Sequence, residues 1–298
     1  MDTPLIAVFM VTYNHENYIG QAIESVMMQK TTFPVKLFIG EDCSLDTTRD
    51  LCINYKNNYP DKIEIIFNKI NIGAFQNANQ IYEACINSGA KYIAALEGDD
   101  YWTDPYKLQK QVDFLEENPE YGLCYGDITI VDEDNSLLSK DPSWKALYKS
   151  GYVFKDLFIQ NFIPTLTVVV RKNLIDSALQ SLRSYPNLRV FDYWFWLYIS
   201  MFTKFKFYGE KLAAYRDHSQ GITDSKEFRR ENFLQMVYHI RINIIENYCN
   251  TSDSKRIVPG IKEKLSLLKN AIKLFYNNPN SFLSTGTRLK YLFKIAIR

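Results

Sequence analysis

Tyr92-Ile93-Ala94-Ala95-Leu96-Glu97-Gly98-Asp99-Asp100-Tyr101-Trp102-Thr103-Asp104-Pro105 is the stretch on which the fold is read. Its first five residues are apolar, uncharged and of strand length. Its last two open a helical pattern, with Asp104 as the cap and Pro105 in the first turn. Between them three carboxylates, Glu97, Asp99 and Asp100, fall within four residues at the carboxyl end of a buried strand. In an open α/β sheet that end is where ligands bind. Carboxylates this close repel one another, and each is costly to desolvate. A divalent cation relieves both, and hard oxygen donors on a short bent segment suit Mg²⁺ or Mn²⁺. A solvated acidic turn closed by a helix cap is the alternative reading.

Upstream, strand and helix patterns alternate. Leu5 to Val11 is a continuous apolar run, the mark of a strand buried on both faces. It ends in Thr12-Tyr13-Asn14-His15. From Tyr18 to Met28 the apolar positions recur at helical spacing. Val35 to Gly40 is a second strand, and Glu41-Asp42-Cys43-Ser44-Leu45-Asp46 leads from it into a helix ending near Tyr59. Ile63 to Phe67 is a third strand, Asn68 to Gly73 a turn, and Ala74 to Asn87 a helix. With Tyr92 to Leu96, the first hundred residues alternate β and α four times, which predicts a parallel, doubly wound sheet. Thr12 to Asn14, Glu41-Asp42 and Glu97 to Asp100 then gather at one edge. An acidic edge binds phosphate poorly unless a metal bridges them. Asp42 can accept the imide N–H of uracil or thymine, or that of guanine. It can equally cap the following helix, as Ser44 or Asp46 can.

The totals exclude several classes. A net charge of +1 over 298 residues gives no basic face for nucleic acid. No Gly-x-Gly-x-x-Gly follows the first strand, and no Gly-x-x-x-x-Gly-Lys-Ser/Thr occurs anywhere, so neither a dinucleotide fold nor a P-loop is indicated. Five cysteines with no Cys-x-x-Cys pair point away from zinc and from a disulfide framework. Met1-Asp2-Thr3-Pro4 runs straight into a strand without a basic, then apolar, leader. No apolar stretch reaches the ~20 residues of a membrane span. A cytoplasmic protein is expected. Most of the 21 Tyr are read as core filling.

Downstream, Lys107 to Glu117 is an amphipathic helix. Leu123 to Tyr125 and Ile128 to Val131 read as short strands, and Asp132 to Lys149 as a polar loop over the site. Thr165 to Arg171 reads as a strand and Leu174 to Leu182 as a helix. In Val190-Phe191-Asp192-Tyr193-Trp194-Phe195-Trp196-Leu197 a single carboxylate sits in an aromatic run. Burial makes a carboxylate more basic, which suits a general base; a helix N-cap is the compatible alternative. Lys211 to Tyr215 is a further strand. It leads to His218, read as a third metal ligand, a donor to a diphosphate, or a structural residue. From Ser225 the chain is helical with mixed charge. Arg288 to Arg298 is basic and amphipathic, suited to an anionic membrane surface or to packing on the domain.

The ordered motifs resemble the family-two inverting glycosyltransferases of the GT-A fold, of the bacterial cell-surface polysaccharide kind. The matching pieces are Thr12-Tyr13-Asn14, Glu41-Asp42-Cys43-Ser44-Leu45-Asp46, Asn71-x-Gly73, the acidic stretch, Asp192 and Tyr215-Arg216-x-His218, over residues 4 to 220. The resemblance implies a Rossmann-like, mostly parallel sheet flanked by helices over 1–220, and a helical region over 221–298 for acceptor, membrane or homodimer contact. It implies Thr12 and Asp42 against a uridine, with Tyr13, Asn14 and Asn71 in the same nucleotide-binding set. Asp99 is implied on the ribose or a metal-bound water, Asp100 with His218 on Mn²⁺ or Mg²⁺, and Asp192 as the base. The donor is then a nucleotide sugar, first a UDP-sugar, and the acceptor a glycan or lipid-linked oligosaccharide. Three residues depart from the family pattern: Glu41 for the usual Asp, Ala78 where Arg often precedes Asn79, and Glu97 for the first Asp of Asp-x-Asp-Asp.

Two other readings remain. A sugar-phosphate nucleotidyltransferase carries a Gly-rich N-terminal loop with a basic pair, and Leu5 to His15 contains no Gly, Lys or Arg. A non-catalytic carbohydrate- or nucleotide-binding subunit is the second. Asp100 and Asp192 speak against it, and turnover with nucleotide sugars separates the two.

Overall fold

The structure, a computed structural model, describes residues 5–140, 142–183 and 192–219, together with 240, 241 and 244. In chain order the elements are β1 (Ile6–Thr12), α1 (Ile19–Met27), β2 (Val35–Glu41), α2 (Thr48–Asn58), β3 (Ile63–Phe67), α3 (Ala74–Asn87), β4 (Tyr92–Ala95) and β5 (Tyr101–Trp102). There follow α4 (Lys107–Glu117), β6 (Tyr121–Val131), α5 (Phe154–Ile159), β7 (Val169–Arg171), α6 (Lys172–Arg183), α7 (Asp192–Ile199) and β8 (Lys204–Arg216). They form one eight-stranded sheet in the order β3-β2-β1-β4-β7-β6-β8-β5.

The first half is as the alternation predicts: β1, β2, β3 and β4 are parallel. The second half is mixed, with β7 antiparallel to β4 and β6, β8 parallel to β6, and β5 antiparallel to β8. Both faces are covered, which is why β1 reads as continuous hydrophobics. Ile6, Val8 and Met10 face α1, α2 and α4, while Ala7 and Phe9 face α3, α5, α6 and α7. Gly40 marks where α3 presses on β2. A Cβ there would lie 2.3 Å from Asn77 Oδ1 and 2.6 Å from Ile81 Cγ1.

Three expectations are corrected. Leu123 to Tyr125 and Ile128 to Val131 are one eleven-residue strand, β6. The apparent break at Gly126-Asp127 is a register shift against β8, that is, a bulge. Thr165 to Arg171 is not a single strand, because Thr165–Thr167 winds into a 3₁₀ turn before β7. There the Thr167 hydroxyl donates back to the Pro164 carbonyl at 2.8 Å, and its oxygen accepts the Gly126 N–H at 3.0 Å. β8 begins at Lys204 rather than Lys211, because residues 204–206 pair with β6 from Tyr121 to Cys124, with the Lys204 and Lys206 ammonium groups over the rings of Tyr121 and Tyr208.

No helix among the described residues is long and apolar enough to cross a membrane. Arg241 Nε donates to the Tyr193 hydroxyl at 2.9 Å, and Ile240 and Ile244 join the core around α7. The expected turn at 184–187 and the basic tail 288–298 lie outside the described residues, as does most of the expected helical region 221–298.

Candidate active site

The ends of β1, β2 and β4 are stitched together by backbone. The Asp42 N–H donates to the Thr12 carbonyl at 3.1 Å, and the Gly98 N–H to the Val11 carbonyl at 3.0 Å. Only glycine fits at 98: a Cβ would stand 2.9 Å from Thr12 Cβ and Oγ1. The acidic loop therefore lies directly on Thr12, whose buried Oγ1 has no partner.

Asp42 is buried, and its carboxylate does not cap α2. Oδ1 accepts from Asn68 Nδ2 and the Ile72 N–H, and Oδ2 accepts from the Gly73 N–H, all at 2.9 Å. A carboxylate offers about four lone-pair sites, so one remains for a further donor. Asp46 does the capping, accepting the Thr48 and Glu16 N–H groups at 3.0 Å each. Glu41 reaches where Asp could not: Oε1 accepts the Ser44 N–H at 2.6 Å while Oε2 pairs with Arg49. Asn14, at φ 54°, accepts the Leu45 N–H at 2.8 Å and donates its own N–H to Ser44 Oγ at 3.0 Å. Asn71 Oδ1 accepts the Gly73 N–H at 2.9 Å. Asn14 and Asn71 thus shape the loops around Asp42, and Tyr13 is exposed beside them.

The acidic loop divides its carboxyls by environment. Asp99 Oδ2 lies 3.1 Å from His218 Nε2 and 3.7 Å from His15 Nε2. Burial alone would raise Asp99, but the His218 hydrogen bond and the two imidazoles hold it below the usual range. Asp100 is pushed well up by burial, and further by Asp99 and Glu97, although Oδ1 accepts the Arg216 N–H at 2.8 Å. Glu97 is raised to about 8 by burial, then by the charges of Asp99 and Asp192. Its Oε2 is buried without a partner. His218 Nε2 is engaged by Asp99, and His218 Nδ1 and His15 Nδ1 are the nitrogens left unpartnered. Among the described residues no group of three or more His, Cys, Asp or Glu is arranged to hold a metal.

Asp192 is the first residue of α7, so it stands at a helix N-terminus, as the capping alternative required. It is half-buried, and burial raises its pKa against the pull of backbone N–H groups. Asn161 Nδ2 approaches Asp192 Oδ2 at 3.5 Å. The Asp192 charge adds to the rise of Glu97, so the base candidate lies within electrostatic reach of the acidic loop although the two stand 95 positions apart in the chain. His15 and Asn161 escaped the sequence reading. His15 follows directly on the Thr12-Tyr13-Asn14 strand end, a signal that could have found it; nothing in the sequence marks Asn161.

A mixed, mostly parallel sheet with both faces covered and an acidic loop at its strand ends defines the class, the GT-A-type glycosyltransferases. The chain belongs to glycosyl transferase family 2, whose model matches residues 7–178. An uncharacterized protein of Mycobacterium tuberculosis, Rv1520, is 31% identical over 236 residues, 78% of this chain and 65% of that protein. The chain thus spans about two thirds of the length of the mycobacterial relatives. TuaG of Bacillus subtilis, a putative teichuronic acid biosynthesis glycosyltransferase, is 29% identical over 75% of this chain and 83% of its own. Among solved structures, S. aureus TarS 1-349 in complex with UDP-GlcNAc superposes with a TM-score of 0.65 at 14% identity, over 97% of this chain and 79% of that one. The mannosyltransferase PcManGT of Pyrobaculum calidifontis, in complex with GDP-Man and Mn²⁺, gives 0.59 at 13% identity, over 100% and 82%. At such identities these two likenesses speak for the fold.

Proposed function

We propose that the protein transfers a sugar from a nucleoside-diphosphate sugar, first a UDP-sugar, to an acceptor hydroxyl with inversion. The acceptor is a polysaccharide or lipid-linked oligosaccharide, a reading supported by the name of the B. subtilis relative. The single observation that carries the proposal is the gathering of Thr12, Asp42, Asp99 and Asp100 at the ends of β1, β2 and β4, joined by the Asp42–Thr12 and Gly98–Val11 backbone hydrogen bonds. It supports a ligand site at the carboxyl end of the parallel strands, and the raised pKa of Asp192 supports reading that residue as the base.

In the mechanism, Asp42 has a lone pair to accept the uracil N–H, with the 71–73 turn and Asn14 holding the loops in place. Asp99, kept ionised by His218, accepts a ribose hydroxyl or a bound water. Asp192 takes the proton of the acceptor hydroxyl. That oxygen attacks the anomeric carbon as the bond to the diphosphate oxygen breaks, and the nucleoside diphosphate departs. One displacement inverts the centre and needs no covalent intermediate. Asp99 and Asp100 fit a divalent cation: the buried Asp100 and the partly exposed Asp99 repel each other, and such ions are usually held by one or two carboxylates plus phosphates and water, without a protein cage. Bound there, Mn²⁺ or Mg²⁺ would neutralise the charge of the leaving diphosphate. His218, through Asp99, would fix the carboxylate rather than bind the ion with the nitrogen already engaged.

Residues 1–220 form the donor-binding and catalytic unit in this reading, and 221–298 the acceptor side. A thermal-shift screen of nucleotides and nucleotide sugars, with and without Mn²⁺, tests the donor class, because a ligand that binds only the native state raises the melting temperature. UDP compounds are expected to give the largest shift, and a larger one with Mn²⁺. No shift from any nucleotide sugar overturns the proposal.

A further inference from the structure

β8 ends at Arg216, and this residue with His218 just beyond it grips the acidic loop at three points. The Arg216 N–H donates to Asp100 Oδ1 at 2.8 Å, Arg216 Nε donates to the Asp99 carbonyl at 2.9 Å, and His218 Nε2 meets Asp99 Oδ2 at 3.1 Å. The rest of the guanidinium reaches away from the loop. Nη2 donates to Gln21 Oε1 on α1 at 2.7 Å, and Nη1 to the carbonyls of Glu133 at 3.2 Å and Asp132 at 3.4 Å. The guanidinium lies 4.7 Å from the ring centre of Tyr18 and 5.5 Å from that of Tyr101. Arg216 is only 3% exposed. A buried cation held by carbonyls, one amide and two rings leaves its charge to act on the neighbouring carboxylates, and it lowers Asp100 against the stronger effect of burial.

We infer that Arg216 is a positioning residue of the donor site. It ties the Asp99 carbonyl to α1 and to the 132–133 turn, and so sets the direction in which the Asp99 and Asp100 carboxylates meet a diphosphate and its cation. This rests on the proposed function. A planar fork with five donors is what the task needs, because the acceptors lie on three separate segments. A lysine ammonium is a single point and cannot span them.

The test compares wild type with Arg216→Lys, which keeps the charge and the backbone N–H to Asp100, and with Gln21→Met, which removes one anchor outside the site. UDP affinity in Mn²⁺, melting temperature and amide deuterium exchange of 97–102 in the free protein are measured on each. Arg216→Lys is expected to weaken Mn²⁺-dependent UDP binding ~10–100-fold, as losses beside metal-binding carboxylates usually do. The melting temperature should fall somewhat, because buried acceptors lose their donor, and exchange at 97–102 should quicken by more than that global loss accounts for. Gln21→Met should move both readouts the same way by less, and it keeps the test alive if Arg216→Lys does not fold. Wild-type affinity and exchange in the variants, or losses that merely follow a fall in melting temperature, overturn the inference. A wild type that binds neither UDP nor any other nucleoside diphosphate overturns the proposed function instead, and the exchange of the free protein still decides the role of Arg216.

Discussion

At the scale of the residue, Asp42 shows one carboxylate with a structural task and capacity to spare. Its three hydrogen bonds hold the Asn68 side chain and the 72–73 turn, and one lone pair remains for a ligand. Asp42→Ala should therefore do more than weaken UDP binding. The Gly73 N–H keeps Asn71 Oδ1 and Asn68 Nδ2 keeps Asn77 Oδ1, but the Ile72 N–H loses this acceptor, at a cost of about 1–3 kcal/mol, so the denaturation midpoint should fall as well. Wild-type stability with weakened UDP binding would mean that the turn is held by other bonds. The sequence showed that Asp42 was special but offered a helix cap as its structural task. Spacing cannot reveal that the partners of a loop carboxylate lie thirty residues away. Asp192 was legible because a lone charge in an aromatic run is drawn at least partly out of water, and that partial burial raises its pKa. Its pKa is raised, and a general base works only when deprotonated. kcat/KM should thus decline on the acid side at a pH above the ordinary Asp value of ~3.9. An acid limb at or below that value, measured across a pH series, would contradict the burial argument.

At the scale of the element, periodicity served where one face of one helix or strand decided the pattern. β3, α3 and α4 match their sequence readings end to end. It failed where tertiary partners decide: the bulge of β6, the Thr167 turn before β7, and the two-residue β5, which exists only because β8 runs beside it. α4 also carries a residue that amphipathicity would place outside. Lys107 is fully buried, 2.9 Å from Gln111 Oε1 and 4.3 Å from the Trp102 ring centre, and burial lowers it to about 7. Unfolded, the same amine titrates near ~10.4. Between those values the unfolded chain binds the extra proton, so this group adds stability as the pH rises from about 7, and loses that contribution as the pH falls back through it. The melting temperature of wild type relative to Lys107→Met should therefore rise between pH 7 and 10. A difference that stays flat would mean that the buried amine remains charged.

At the scale of the whole molecule, the first half of the sheet carries Thr12, Asp42, Asp99 and Asp100 at or just past its strand ends, and α7, in the second half of the chain, carries Asp192. The first half was legible because four β/α alternations leave few topologies. The second was not, because antiparallel insertions follow long-range pairing that no local pattern encodes. Asp127 pairs with Lys145 at 2.9 Å and Asp217 with Lys140, while Glu97 belongs to the acidic loop itself. The proposed function takes Asp192 as the base, and Asp192→Asn tests that role. The amide keeps the shape at the start of α7 and cannot take a proton. The decisive measurement is the rate of sugar transfer by this variant, with UDP affinity and melting temperature determined on the same sample. The account predicts a transfer rate lower by a factor of ~10²–10⁴, with UDP binding and stability near wild type. Near-normal transfer by a well-folded Asp192→Asn protein would contradict it.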